Sequence, residues 1–173
     1  MPDASSIAEV TSIAGPLAST LWHSISDFVI ILVIVLFFIL FSRYVGRGQF
    51  VAVILAIYSA YALYVAFPYE SYLPQAPEIT AFATHLGLFL ALAFMFYIIL
   101  RRIVVSDFLD IGSLSLIFLS FLIAGILIAL GYHVFDITNF YQFTPPIDAL
   151  FAPKEYFFWW FVAPAIGLFF LAH

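Results

Sequence analysis

The feature that most constrains this chain is a series of long apolar segments without a polar interruption. Residues 28–41, for example, are all Phe, Val, Ile or Leu. Lipid offers the backbone no hydrogen-bond partner, so only helices and closed barrels cross a membrane. The segments are continuous, whereas the strands of a barrel alternate apolar and polar residues. The sequence therefore predicts an all-α, polytopic integral membrane helical bundle.

The composition supports the same class. Hydrophobic residues make up 66% of the chain and charged residues 9%, whereas a soluble domain carries about 25% charged residues. We expect the lipid bilayer to surround the chain and do not expect it to bind nucleic acid. Cysteine is absent, which excludes disulfides, iron–sulfur clusters and thiol chemistry.

Five segments approach the roughly 20 apolar residues that a spanning helix needs. The predicted helices are 22–42, 50–67, 79–100, 111–132 and 156–172. The last is short and contains Pro164, so it either spans or dips into the membrane as a bent interfacial helix. Residues 1–21 are predicted to form an extracytoplasmic tail or amphipathic segment, and residues 22–172 the transmembrane domain.

Basic residues predict the orientation. Arg43 and Arg47 lie between the first and second helices, and Arg101 and Arg102 follow the third. Lys and Arg concentrate in cytoplasmic loops, and with five spans these two loops share one side. We expect a multi-pass protein of the cell membrane, with its N-terminus outside and its C-terminus on the cytoplasmic side.

Small residues at four-residue spacing predict where helices touch, because they let backbones approach in lipid. The stripes are Ala52, Ala56 and Ala60; Ala83, Gly87 and Ala91; and Gly125 and Ala129. These stripes form seams within one chain or join copies in a homo-oligomer.

Aromatic residues recur in two places. Tyr58, Tyr61 and Tyr64 on the second helix are expected at helix interfaces, with a polar pathway as the alternative. The aromatic segment 139–146 is expected on the membrane surface or against a partner protein.

Ionisable groups in a span are the default candidates for a site. Five lie near the predicted outer face: His85, His23, Asp27, His133 and Asp136. His and Asp bind divalent metals and transfer protons, and His85 is the deepest of the five. The alternative is structural: Asp27 lies near water and caps or snorkels, and His85 bonds a backbone carbonyl or a tyrosine hydroxyl.

The order of features resembles the colicin V production protein family of bacterial inner-membrane proteins. The resemblance covers residues 26–135 and rests on Ser26-Asp27-Phe28-Val29-Ile30, Arg47-Gly48-Gln49-Phe50 and Phe67-Pro68-Tyr69. The family's second Arg-Gly near the fourth helix has no counterpart in 115–125. The resemblance implies a component of an export or envelope process.

No catalytic or cofactor motif is recognisable, so we expect neither an enzyme nor a cofactor. The predicted function is that of a small accessory or scaffold membrane protein with a protein partner or in a homo-oligomer. The alternatives are a small oligomeric transporter or pore, and a His-based metal- or cofactor-binding subunit.

Overall fold

The computed structural model describes the backbone of residues 4–69, 72–74, 76–104 and 112–171, and the side chains of these residues except 4–24, 47 and 171. Six α-helices and one 3-10 turn make up the described secondary structure, which confirms the all-α class. They are α1 (Ala4–Val45), α2 (Arg47–Val65), α3 (Glu78–Ile103), α4 (Ser113–His133), the 3-10 turn (Ile137–Asn139), α5 (Pro145–Phe151) and α6 (Lys154–Leu171).

Four described helical segments are long and apolar enough to cross a membrane. They are Ile25–Val45, Gly48–Val65, Glu78–Ile103 and Ser113–His133, and they correspond to the first four predicted spans. The chain is therefore a multi-pass membrane protein. The predicted fifth span forms α6, whose 18 residues contain Pro164. That α6 crosses the membrane stays a prediction.

Helix α1 begins much earlier than the sequence predicts. It starts at Ala4 and runs for 42 residues, so it crosses the boundary expected at residue 22. At 1.5 Å per residue the helix is roughly 60 Å long, about twice the thickness of the hydrocarbon core. The N-terminal part of α1 therefore continues beyond the candidate span.

Helix α4 forms the centre of the bundle. It packs against α1 and α6, while α2 packs against α3 and α1. Leu119, Ile123 and Ile126 of α4 share one core with Phe50 and Ile54 of α2. Lipid tails are as apolar as these side chains, so close van der Waals packing holds the helices together.

Two of the small-residue stripes lie inside this core. Ala52, Ala56 and Ala60 are buried, and so are Gly125 and Ala129. A Cβ atom at Gly125 would lie 2.4 Å from Cζ3 of Trp160. Only glycine lets the indole of α6 approach α4 this closely.

The stripe on α3 differs. Ala83, Gly87 and Ala91 are exposed. Apart from the backbone of α3 and the two chain neighbours, no atom of the described residues lies within 4 Å of a Cβ built on Gly87. These residues therefore form no seam within the described chain. Helix α3 packs against α2 through other positions, and Phe89 is its one buried residue.

The connections bring the predicted basic loops to one end of the bundle. Gly46, at φ 102°, turns the chain between α1 and α2 with a backbone conformation that glycine adopts readily. The Tyr97 hydroxyl donates to Gln49 Oε1 at 2.9 Å, so the end of α3 lies beside the start of α2. Which side of the membrane this end occupies stays a prediction.

The three tyrosines of α2 lie at helix interfaces, as expected. Tyr58 and Tyr61 contact the ring of Phe161 on α6, and the Tyr58 hydroxyl donates to the Phe161 carbonyl at 2.5 Å. That carbonyl lies in the turn that precedes Pro164. Tyr58 thus ties α2 to the middle of α6.

Candidate functional site

Asp27 is the most buried ionisable side chain described, with 1% of its surface exposed. One carboxylate oxygen accepts a hydrogen bond from the Tyr141 hydroxyl at 2.7 Å. The other accepts from the backbone N–H of Thr144 at 2.6 Å and from its hydroxyl at 2.7 Å. Burying a charge is costly unless it is hydrogen-bonded, and these three donors meet that requirement.

Thr144 is also the residue from which α5 starts. It has extended backbone angles at the N-cap, and Pro145 follows at the first helical position, where its missing N–H costs nothing. Since Asp27 holds Thr144, the carboxylate of α1 fixes where α5 begins. Asp27 is thus buried, which corrects the structural alternative that placed it near water as a cap or a snorkelling side chain.

Three further hydrogen bonds close the segment over α4 and α6. The Tyr132 hydroxyl donates to Asp148 at 2.5 Å, His133 Nε2 lies 2.8 Å from the Phe151 carbonyl, and the Trp160 indole donates to Leu150 at 3.1 Å. Residues 141–151 therefore fold back onto α1 and onto the ends of α4 and α6. That the aromatic segment 139–146 lies on the membrane surface or against a partner stays a prediction.

A separate cavity of about 280 Å³ lies at this end of the bundle. Its walls come from the end of α2, the first turns of α3 and the chain just after α4. The lining residues are Tyr64, Glu78, Ala81, Phe82, His85, Val134, Phe135, Asp136, Asn139 and Phe140. The Tyr64 hydroxyl and His85 Nδ1 lie 2.8 Å apart, which is the kind of structural partner that the alternative interpretation of His85 requires.

The structure brings together two of the five predicted ionisable residues. His85 and Asp136 line the cavity, whereas Asp27 and His133 hold the segment that includes α5. The side chain of His23 lies outside the described residues. Among the described side chains, no three His, Asp or Glu residues are grouped so as to hold a metal ion.

Asp136 has an uncommon backbone conformation, with φ 46° and ψ 45°. Asp and Asn adopt this left-handed region more readily than other non-glycine residues. The conformation turns the chain out of α4 and into the 3-10 turn beside the cavity.

Sequence reasoning missed Glu78, Tyr141 and Thr144. Glu78 stands in the first turn of α3, where an acidic residue is ordinary, so it gave no distinct signal. Tyr141 and Thr144 lie 114 and 117 residues from Asp27, and no local pattern indicates such pairs.

The cavity can bind a small polar or cationic group, since it combines carboxylates, an imidazole and aromatic rings. Asp27 is buried, and the Tyr141 and Thr144 donors beside it are already hydrogen-bonded to its carboxylate. Comparison with protein-family models, curated proteins and solved structures finds no match to this chain.

Proposed function

We propose that the protein is a non-enzymatic accessory or scaffold component of the membrane, and that α3 is the helix that binds a transmembrane helix of a partner protein. The proposal rests on one observation: the small residues Ala83, Gly87 and Ala91 of α3 are exposed and face away from the other described helices. We take the process it serves to be export or envelope maintenance, by the resemblance of 26–135 to colicin V production proteins.

The physical argument concerns what lipid requires of a helix. A lipid-facing surface tolerates large apolar side chains, and the exposed Leu32, Leu36 and Leu40 of α1 are examples. Small residues repeated every four positions instead bring two backbones close together. The buried stripes on α2 and α4 serve that purpose within the chain, and the stripe on α3 has the same spacing without a neighbour in the described chain.

A groove beside α3 supports the same assignment. It has a volume of about 510 Å³ and lies between α1, α2 and α3, lined by side chains that include Phe38, Ala56, Leu90 and Phe94. Apolar side chains of a partner helix that packs on α3 can enter this groove.

Photo-crosslinking in native membranes tests the proposal. Gly87 is exposed, and a Cβ placed there contacts no neighbouring element among the described residues. We expect a photoreactive phenylalanine analogue at Gly87 to form an adduct with a different membrane protein. The same analogue at Phe169 of α6, which is 71% exposed, serves as the control and is expected to label lipid. Lipid adducts alone at both positions would contradict the proposal, and an adduct between two copies of this chain would replace the partner with a homo-oligomer.

A further inference from the structure

The cavity that contains His85 has a chemical character of its own, separate from the helix surface of α3 proposed for partner binding. Two acidic residues, Glu78 and Asp136, line it from different elements, and both are exposed at its rim. Lys and Arg are absent from the described residues that line it. Two carboxylates without a neighbouring cation make the potential at this rim negative, which favours a cation.

Aromatic rings form much of the remaining wall. The rings of Phe82 and Phe140 lie 4.8 Å apart between centroids, and Tyr64 and Phe135 also line the cavity. The faces of aromatic rings attract a cation within about 6 Å of the centroid, and such rings recognise ammonium groups in particular.

The size of the cavity points to an organic rather than a monatomic ion. Its volume of about 280 Å³ is several times the roughly 30 Å³ that one water molecule occupies in the liquid. A cation of several heavy atoms fills such a space, with carbon atoms against the rings and charge toward the carboxylates.

We propose that this cavity binds a small organic ammonium ion. Glu78 and Asp136 stabilise the positive charge, and Phe82 and Phe140 contact its methyl or methylene groups. His85, held by Tyr64, supplies a polar wall. The ammonium group belongs either to a free amine or to the headgroup of an aminophospholipid, because both present the same chemistry at the membrane surface.

Calorimetry of the purified full chain in nanodiscs of phosphatidylglycerol, which carries no amine, tests the proposal. We expect choline and ethanolamine to bind saturably, and the affinity to fall as salt is added because the interaction is electrostatic. The double variant Glu78→Gln and Asp136→Asn should lose at least about tenfold in affinity, equivalent to about 1.4 kcal/mol. Asparagine retains the left-handed backbone at 136, so the variant preserves the local fold.

The matched control is Glu155→Gln, which removes an exposed carboxylate at the start of α6 and should leave binding unchanged. Native mass spectrometry from nanodiscs that also contain phosphatidylethanolamine separates the two sources. Retention of that lipid by the wild type and not by the double variant identifies a headgroup, and binding of soluble amines without lipid retention identifies a free amine. Absence of both, or equal binding by the double variant, would overturn the proposal.

Discussion

Asp27 and Thr144 are joined by two hydrogen bonds to a single carboxylate oxygen, one from the backbone N–H at 2.6 Å and one from the hydroxyl at 2.7 Å. The pair connects the first membrane helix to the start of α5. Because Tyr141 donates to the other oxygen, one buried carboxylate holds both Tyr141 and Thr144 of the segment that follows α4.

The first prediction concerns this carboxylate. Asp27→Asn keeps the size of the side chain but replaces one acceptor oxygen with a donor, so at least one buried donor loses its partner. We expect a destabilisation of about 1–3 kcal/mol and faster hydrogen exchange in residues 141–151. Thermal unfolding in detergent and exchange mass spectrometry measure the two effects.

Tyr141→Phe is the graded comparison for Asp27→Asn, since it removes one donor and leaves both bonds from Thr144. It should cost about 0.5–1.5 kcal/mol. Unchanged exchange in 141–151 for Asp27→Asn would show that Asp27 does not hold this segment.

The second prediction concerns the contact between α4 and α6. Gly125→Ala places a Cβ 2.4 Å and 2.5 Å from two ring carbons of Trp160, and a rigid indole yields only if α6 shifts. Overpacking of this kind costs about 1–3 kcal/mol, so the melting temperature in detergent should fall. Gly87→Ala is the matched control, because a Cβ at Gly87 contacts no other element among the described residues, and its melting temperature should hold or rise. Equal melting temperatures for the two variants would contradict the close packing of α4 on α6.

The third prediction concerns Tyr58. Tyr58→Phe retains the ring contact with Phe161 but removes the hydroxyl that bonds its carbonyl, and we expect a loss of about 0.5–1.5 kcal/mol. Tyr61→Phe, which keeps the ring contacts of Tyr61 with Phe157 and Phe161, is the comparison and should cost less. Chemical unfolding in mixed micelles ranks the two, and the reverse order would argue against a role for the Tyr58 hydroxyl in holding α6.

The fourth prediction tests the orientation. The chain contains no cysteine, so single cysteines report cleanly. Tyr72 is 82% exposed beyond α2, and Tyr44 is 95% exposed near the arginines. In intact cells an impermeant maleimide should label Tyr72→Cys, and it should label Tyr44→Cys only after the membrane is opened. The opposite pattern would reverse the topology.

The helices were predictable because apolar length is a local property of the sequence. The second, third and fourth predicted helices begin and end within three residues of where α2, α3 and α4 begin and end. The early start of α1 was not predictable, because Gly15 and Pro16 are the usual signs of a break and yet the helix continues through them. Nor was α5, whose position depends on the distant residue Asp27.

The site was predictable only in part. The scarcity of ionisable residues in an apolar chain singled out His85 and Asp136, and the cavity contains both. Composition gave no indication that Asp27 is buried. Its burial depends on tertiary contacts with residues more than a hundred positions away. The three small-residue stripes look equivalent in sequence, and only the packed helices distinguish the buried stripes on α2 and α4 from the exposed one on α3.

The most direct measurement of the central claim is native mass spectrometry of the tagged protein, extracted gently from its own membrane, beside the variant Gly87→Leu. Gly87 is exposed and has room for a Cβ, so we expect the variant to fold, and an unchanged melting temperature checks this. We predict that the wild type carries a different membrane protein in defined stoichiometry and that Gly87→Leu loses it. A wild type without a protein partner, or a partner that Gly87→Leu retains, would contradict the assignment of α3 as the binding helix.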